Sequence, residues 1–69
     1  MKVSAVVQYP AGAQSSTSHF IAVGWQKTNG SNTVSVDIDP DLSEDQIRDA
    51  LKAAVAADSG EPLADVRLL

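Results

Sequence analysis

Asp37, Ile38, Asp39, Pro40 and Asp41 space three carboxylates as the first half of a calcium-binding loop does, at its positions one, three and five. The second half departs from that pattern. Leu42 stands where the sharp turn needs glycine, and Arg48 where a bidentate glutamate is needed. Within a strand the two-residue spacing also points Asp37 and Asp39 the same way rather than around a cage. The run reads as a strand end passing into a helix cap, and no metal is expected.

Ser15, Ser16 and Ser18 stand beside His19, the single histidine, so a hydroxyl nucleophile and a base exist on paper. Nothing matches Gly-x-Ser-x-Gly, and the neighbouring small polar residues supply no evident oxyanion hole. His19 is read as a rim side chain at the start of a strand. Gly12 and Gly24 are isolated, which excludes a phosphate-cradling loop and a dinucleotide fingerprint, so no cofactor is expected. Trp25 and Tyr9 have the shape of stacking platforms, but no run of basic residues accompanies them, and Trp25 is assigned to the core. Cysteine is absent, which removes disulfides, thiolate zinc sites and a thiol nucleophile.

Charge is divided unevenly. Residues 1–36 hold Lys2 and Lys27 and no acid, whereas residues 37–69 hold all nine acids against Arg48, Lys52 and Arg67. Asp37, Asp39, Asp41, Glu44, Asp45 and Asp49 concentrate negative potential in a short window. Five scattered cations cannot supply the phosphate contacts of nucleic-acid binding, and this window would repel the backbone. A solvated helix start explains it, with docking on a basic partner as the alternative.

Two β-rich runs at 19–39 flank Thr28-Asn29-Gly30-Ser31, and Asn-Gly is the strongest short hairpin marker because a type I′ turn needs positive φ at both centres. With those two residues as the turn, Trp25 opposes Val34, Val23 opposes Val36, Ile21 opposes Ile38 and Lys27 opposes Asn32. Residues 2–9 alternate with period two, placing Val3, Ala5, Val7 and Tyr9 on one side of a first strand. Residues 10–18 are small, polar and aperiodic, and are expected to form a mobile loop. Asn29-Gly30-Ser31 also fits the glycosylation sequon, but is read as part of the turn.

Leu42-Ser43-Glu44-Asp45-Gln46-Ile47 predicts a helix start: Ser43 and Gln46 form a capping box, Leu42 and Ile47 a hydrophobic staple, and the two acids suit the helix dipole. Ile47, Ala50, Leu51, Ala54 and Val55 continue as an apolar stripe that covers a sheet. On the outer side Glu44 and Arg48 stand in the order that favours a four-apart ion pair. Gly60 and Pro62 end the helix, and residues 64–69 read as a final strand with Val66 and Leu68 facing the core and Leu69 facing away.

The whole chain, residues 1–69, is thus expected to form one small α+β domain of order β-β-β-α-β. It is a four-stranded mixed sheet with spatial order 4-1-2-3 and one helix on one face. The last strand is placed beside and parallel to the first; docking outside the third strand, or on another copy of the chain, are the alternatives. Sixty-nine residues hide only about 60% of their extended surface. Ten of the apolar residues are alanine, so a deep catalytic pocket would compete with the core for few large side chains. The apolar stretch after Met1-Lys2 is too short for a secretory signal or a membrane span, and the expected location is cytoplasmic.

On the face turned away from the helix the same phases place Val6, Phe20, Ala22 and Leu69, an apolar group that would meet water unless a protein covers it. These features predict a small non-enzymatic protein–protein interaction module. It would be a structural or adaptor subunit of a larger assembly, such as a phage or mobile-element particle, and a homo-oligomer is one form of it. The alternative is an acidic inhibitor that imitates nucleic-acid phosphates through the Asp37–Asp49 window. A third reading is a small enzyme built on His19 and a nearby acid.

Overall fold

Val3, Ala5 and Val7 alternate with Ser4, Val6 and Gln8, and this two-residue period makes one apolar and one mixed face along β1 (Val3–Gln8). The same period runs through β2 (Phe20–Lys27), whose Val23 and Trp25 are buried, and through β3 (Gly30–Asp37), whose Val34 and Val36 pack against the core. A 16-residue helix, α1 (Glu44–Ser59), follows, then a short 3-10 turn at Leu63–Asp65 and the three-residue β4 (Val66–Leu68). The computed structural model describes residues 1–8, 20–39 and 41–69. Tyr9, His19, Pro40 and the loop expected at 10–18 lie outside the described residues.

The strands form one mixed sheet in the order β3-β2-β1-β4, as expected. β1 pairs antiparallel with β2 and parallel with β4, and β2 pairs antiparallel with β3. β3 and β4 therefore lie at opposite edges, and α1 carries the chain across one face between them. Val3, Ala5, Val23, Trp25, Ile38, Val66 and Leu68 meet Leu51 and Val55 of α1 beneath the helix. Ala5 and Val23 are wholly buried, and the small side chain of Ala5 lets the helix approach closely.

Both ends of α1 follow their sequence signals. Ser43 Oγ accepts the Gln46 N–H at 3.2 Å, and Gln46 Oε1 accepts the Ser43 N–H at 2.9 Å, which completes the capping box. Leu42 and Ile47 both pack against the core. At the other end Gly60 takes φ 74° and donates its N–H to Ala56 O at 3.0 Å, a left-handed stop that glycine adopts without a Cβ penalty.

Three expectations are corrected. The hairpin loop is Thr28-Asn29, with Lys27 opposite Gly30, so Trp25 opposes Asn32, Val23 opposes Val34 and Ile21 opposes Val36. None of Thr28, Asn29 or Gly30 takes a positive φ, so the turn is not type I′. The pairing is displaced by two residues, one full period, so every side chain keeps its face. In the observed register Asn32 stands beside Trp25, and both reach one carboxylate of α1. Ala64 and Asp65 belong to the 3-10 turn, where the Asp65 N–H bonds to Pro62 O, and not to the last strand. Finally, Arg48 does not pair with Glu44. Its Nη2 donates to Leu68 O at 3.2 Å, tying α1 to the end of β4.

Candidate functional site

The helix-free face follows from the alternation that builds the core. β1 turns Ser4, Val6 and Gln8 away from α1, and the register sets Val6 opposite Gly24. Leu69 donates its N–H to Ala5 O at 2.8 Å, prolonging the β1–β4 ladder by one residue, so Leu69 comes alongside Val6. Val6 is 48% and Leu69 60% exposed, a pair of large apolar side chains open to water. Because Gly24 has no side chain, the sheet is dished beside them. Gln8 lies over the dish, with its amide Nε2 only 2.5 Å from where a Cβ on Gly24 would sit.

Phe20 is as exposed as Leu69, at 60%, but it stands opposite Asp37. Four residues separate it from Gly24 along β2, about 13 Å at the rise of a strand. Ala22, half-buried between Gln8 and Ser35, links the two places. The expected apolar group of Val6, Phe20, Ala22 and Leu69 thus shares one face but forms two spots, Val6–Leu69 in the middle and Phe20 at one end. Gln8, Ala22 and Ser35 lie between them.

The acidic residues all lie at the surface but do not form one patch. Asp37, Asp39, Asp41 and Glu44 cluster along the β3-to-α1 connection, where Asp39 Oδ1 accepts the Asp41 N–H at 2.9 Å. Asp45 and Asp49 instead line an open groove with Arg48, Lys52 and Arg67, so their field is locally balanced by cations.

The most connected polar cluster escaped the sequence reading. Asp58 Oδ2 accepts the Trp25 indole N–H at 2.7 Å and the Asn32 amide at 2.9 Å. Lys27 donates to Ser59 O at 2.7 Å and to Glu61 Oε2 at 3.0 Å, and its ammonium lies 5.8 Å from the Trp25 ring centre. α1 has no basic residue in its last turn, so Lys27 of β2 supplies the cation that its carbonyl end favours. The Met1 amino group completes the cluster, 3.1 Å from Glu61 and 3.0 Å from Asp65.

Hydrogen bonds to Asp65 and then Glu61 raise the pKa of that amine. Bonds from Lys27 and then the amine lower that of Glu61, and the amine's bond lowers that of Asp65. These carboxylates are held ionised and paired, which suits a clamp between the helix end and the sheet and not proton transfer. A sign was present in the sequence. Lys27 shares the two-residue phase of Val23 and Trp25, and a charge on a core phase requires partners.

Ser15, Ser16, Ser18 and His19 lie outside the described residues. Among the described residues no helix is long and apolar enough to cross a membrane. Comparison with family models, with curated proteins and with solved structures finds no match to this chain.

Proposed function

We propose that this chain is a non-enzymatic protein–protein interaction module, a structural or adaptor subunit that docks through its helix-free sheet face. The observation that carries the reading is the pairing of Val6 with Leu69. Two large apolar side chains stand together and open, 48% and 60% exposed, on a face that α1, the one α-helix among the described residues, leaves bare. Their surroundings are short hydroxyl and amide side chains, which cost little to dehydrate when a protein surface supplies hydrogen bonds. Phe20 offers a second anchor at the end of the face, where an aromatic ring would bury the largest area. The location we propose is the cytoplasm.

Docking on a basic partner through Asp37, Asp39, Asp41 and Glu44 has less support, because Arg48, Lys52 and Arg67 interrupt the acidic surface at Asp45 and Asp49. Salt separates the two readings. Molar mass by light scattering, over a range of concentration and salt, is expected to show association that salt does not dissolve. Val6→Ser combined with Leu69→Ser is expected to weaken it. Association unchanged in that variant contradicts docking through this face, and association abolished by salt points to the acidic surface.

A further inference from the structure

Unlike the bare face, the β3 edge presents main-chain groups that have no partner among the described residues. Lys27 and Gly30 flank a two-residue loop, and such a loop closes on a pair that exchanges both N–H···O bonds. Alternation along the ladder then turns the N–H and C=O of Asn32, Val34 and Val36 toward β2. Those of Ser31, Thr33, Ser35 and Asp37 point outward.

Edges of this kind are ordinarily blunted by shortness, proline, lysine or a bulge. The β4 edge is blunted: it is three residues long, carries Arg67, and has its Leu68 carbonyl taken by Arg48. β3 has none of these devices. It runs eight residues without proline, lysine or arginine, its register with β2 is unbroken, and its one charge, Asp37, is the final residue. On the helix side Val34 and Val36 touch the core yet remain only half-buried, which leaves apolar surface at the edge.

We propose that β3 pairs antiparallel with the β3 of a second copy of this chain about a two-fold axis at Val34. Two-fold pairing must bring outward-pointing residues opposite one another. With Val34 at the axis, Thr33 meets Ser35 and Ser31 meets Asp37 in both directions, about eight main-chain hydrogen bonds in all. The strand is complementary to itself in charge. Each Asp37 faces a hydroxyl, the two carboxylates lie at opposite ends, and no like charges meet. Beneath the sheet Val34 packs on its counterpart and Val36 on Asn32. The two four-stranded sheets become one continuous sheet, and the Val6–Leu69 pair stays free, so this contact is additional to the docking face.

Sedimentation equilibrium on the whole chain tests the pairing. With the docking face removed by Val6→Ser and Leu69→Ser, the expected mass is twice the 7.2 kDa of one chain. Thr33→Pro, which removes an outward N–H and spares the ladder to β2, and Ser35→Lys, which adds an edge cation, should each return it to one chain, with circular dichroism and melting retained. Val34→Cys should give a disulfide-linked dimer on mild oxidation, because a non-hydrogen-bonded pair brings its Cα atoms within about 4.5 Å. A one-chain mass for the unaltered protein at millimolar concentration overturns the proposal. So does a dimer that survives both edge substitutions. A dimer dissolved by Val6→Ser with Leu69→Ser but not by Thr33→Pro overturns the edge contact while upholding the docking face.

Discussion

Trp25 donates its indole N–H to Asp58 across 2.7 Å, although the two residues stand 33 positions apart in sequence. That bond joins the middle of the sheet to the last turn of the helix. The same oxygen takes the Asn32 amide, so one carboxylate reads the hairpin register and the helix position together.

Asp58→Ala is accordingly expected to destabilise the fold by about 1–3 kcal/mol, because it leaves the hydrogen of a 7% exposed indole without its partner. For a domain of this size each kcal/mol lowers Tm by about 4–8 °C. Asp58→Asn keeps an acceptor oxygen and should lose less. Thermal denaturation followed by tryptophan emission measures both.

Stability should fall on both sides of neutrality. Glu61 and Asp65 have folded pKa values below their ordinary 4.5 and 3.8, so they contribute fully above those values and lose the contribution as pH falls through the lowered ones. The Met1 amine is raised above its ordinary 8.0, so it contributes fully below that pH and loses the contribution as pH climbs through the raised value. Urea midpoints across pH should trace this profile, and Glu61→Gln should flatten both limbs, because Glu61 is a partner of the amine. All these groups meet solvent, so added salt should shrink the effect.

Gly24 and Gly60 should respond unequally to alanine. Gly60→Ala places a Cβ at φ 74° and is expected to cost about 1–2 kcal/mol. Gly24→Ala meets only the Gln8 amide, the far end of a flexible side chain, and should change stability by less than about 0.5 kcal/mol once Gln8 swings aside. Chemical denaturation of the two variants gives the comparison.

Capping offers a further check at the start of α1. Ser43→Ala removes the acceptor of the Gln46 N–H and should cost about 1 kcal/mol. Ser43→Asp, which can make the same bond and carries a charge that the helix dipole favours, should restore most of it.

Period and punctuation made much of this architecture legible. Alternation in β1 and β2 assigned each residue to a face, and Ser43, Gln46 and Gly60 bounded the helix correctly. The pairing of Trp25 was not legible, because a displacement of two residues preserves every face and leaves apolar periodicity unable to choose. The observed pairing is the one that lets Asp58 accept from both Trp25 and Asn32, bonds that exist only once α1 lies over the sheet. Arg48 was misread for a similar reason. Its neighbour on the helix is Glu44, but the carbonyl of Leu68 lies within reach only in the folded chain. On the helix-free face the phases of Val6, Phe20 and Leu69 were readable. Their separation into two spots depends on the β1–β2 register, which no local signal fixes.

A protein surface is proposed to cover Val6 and Leu69. Photo-crosslinking reads such a cover, with a benzophenone amino acid placed singly at position 6, 69, 53 or 57 in the full chain and irradiated inside the cells that make it. Positions 53 and 57 are exposed alanines of α1 and serve as controls. Discrete protein adducts are expected from positions 6 and 69 and none from 53 or 57, with an adduct of twice the chain mass marking self-assembly. Adducts of equal yield from all four positions, or none from 6 and 69, would contradict the proposal.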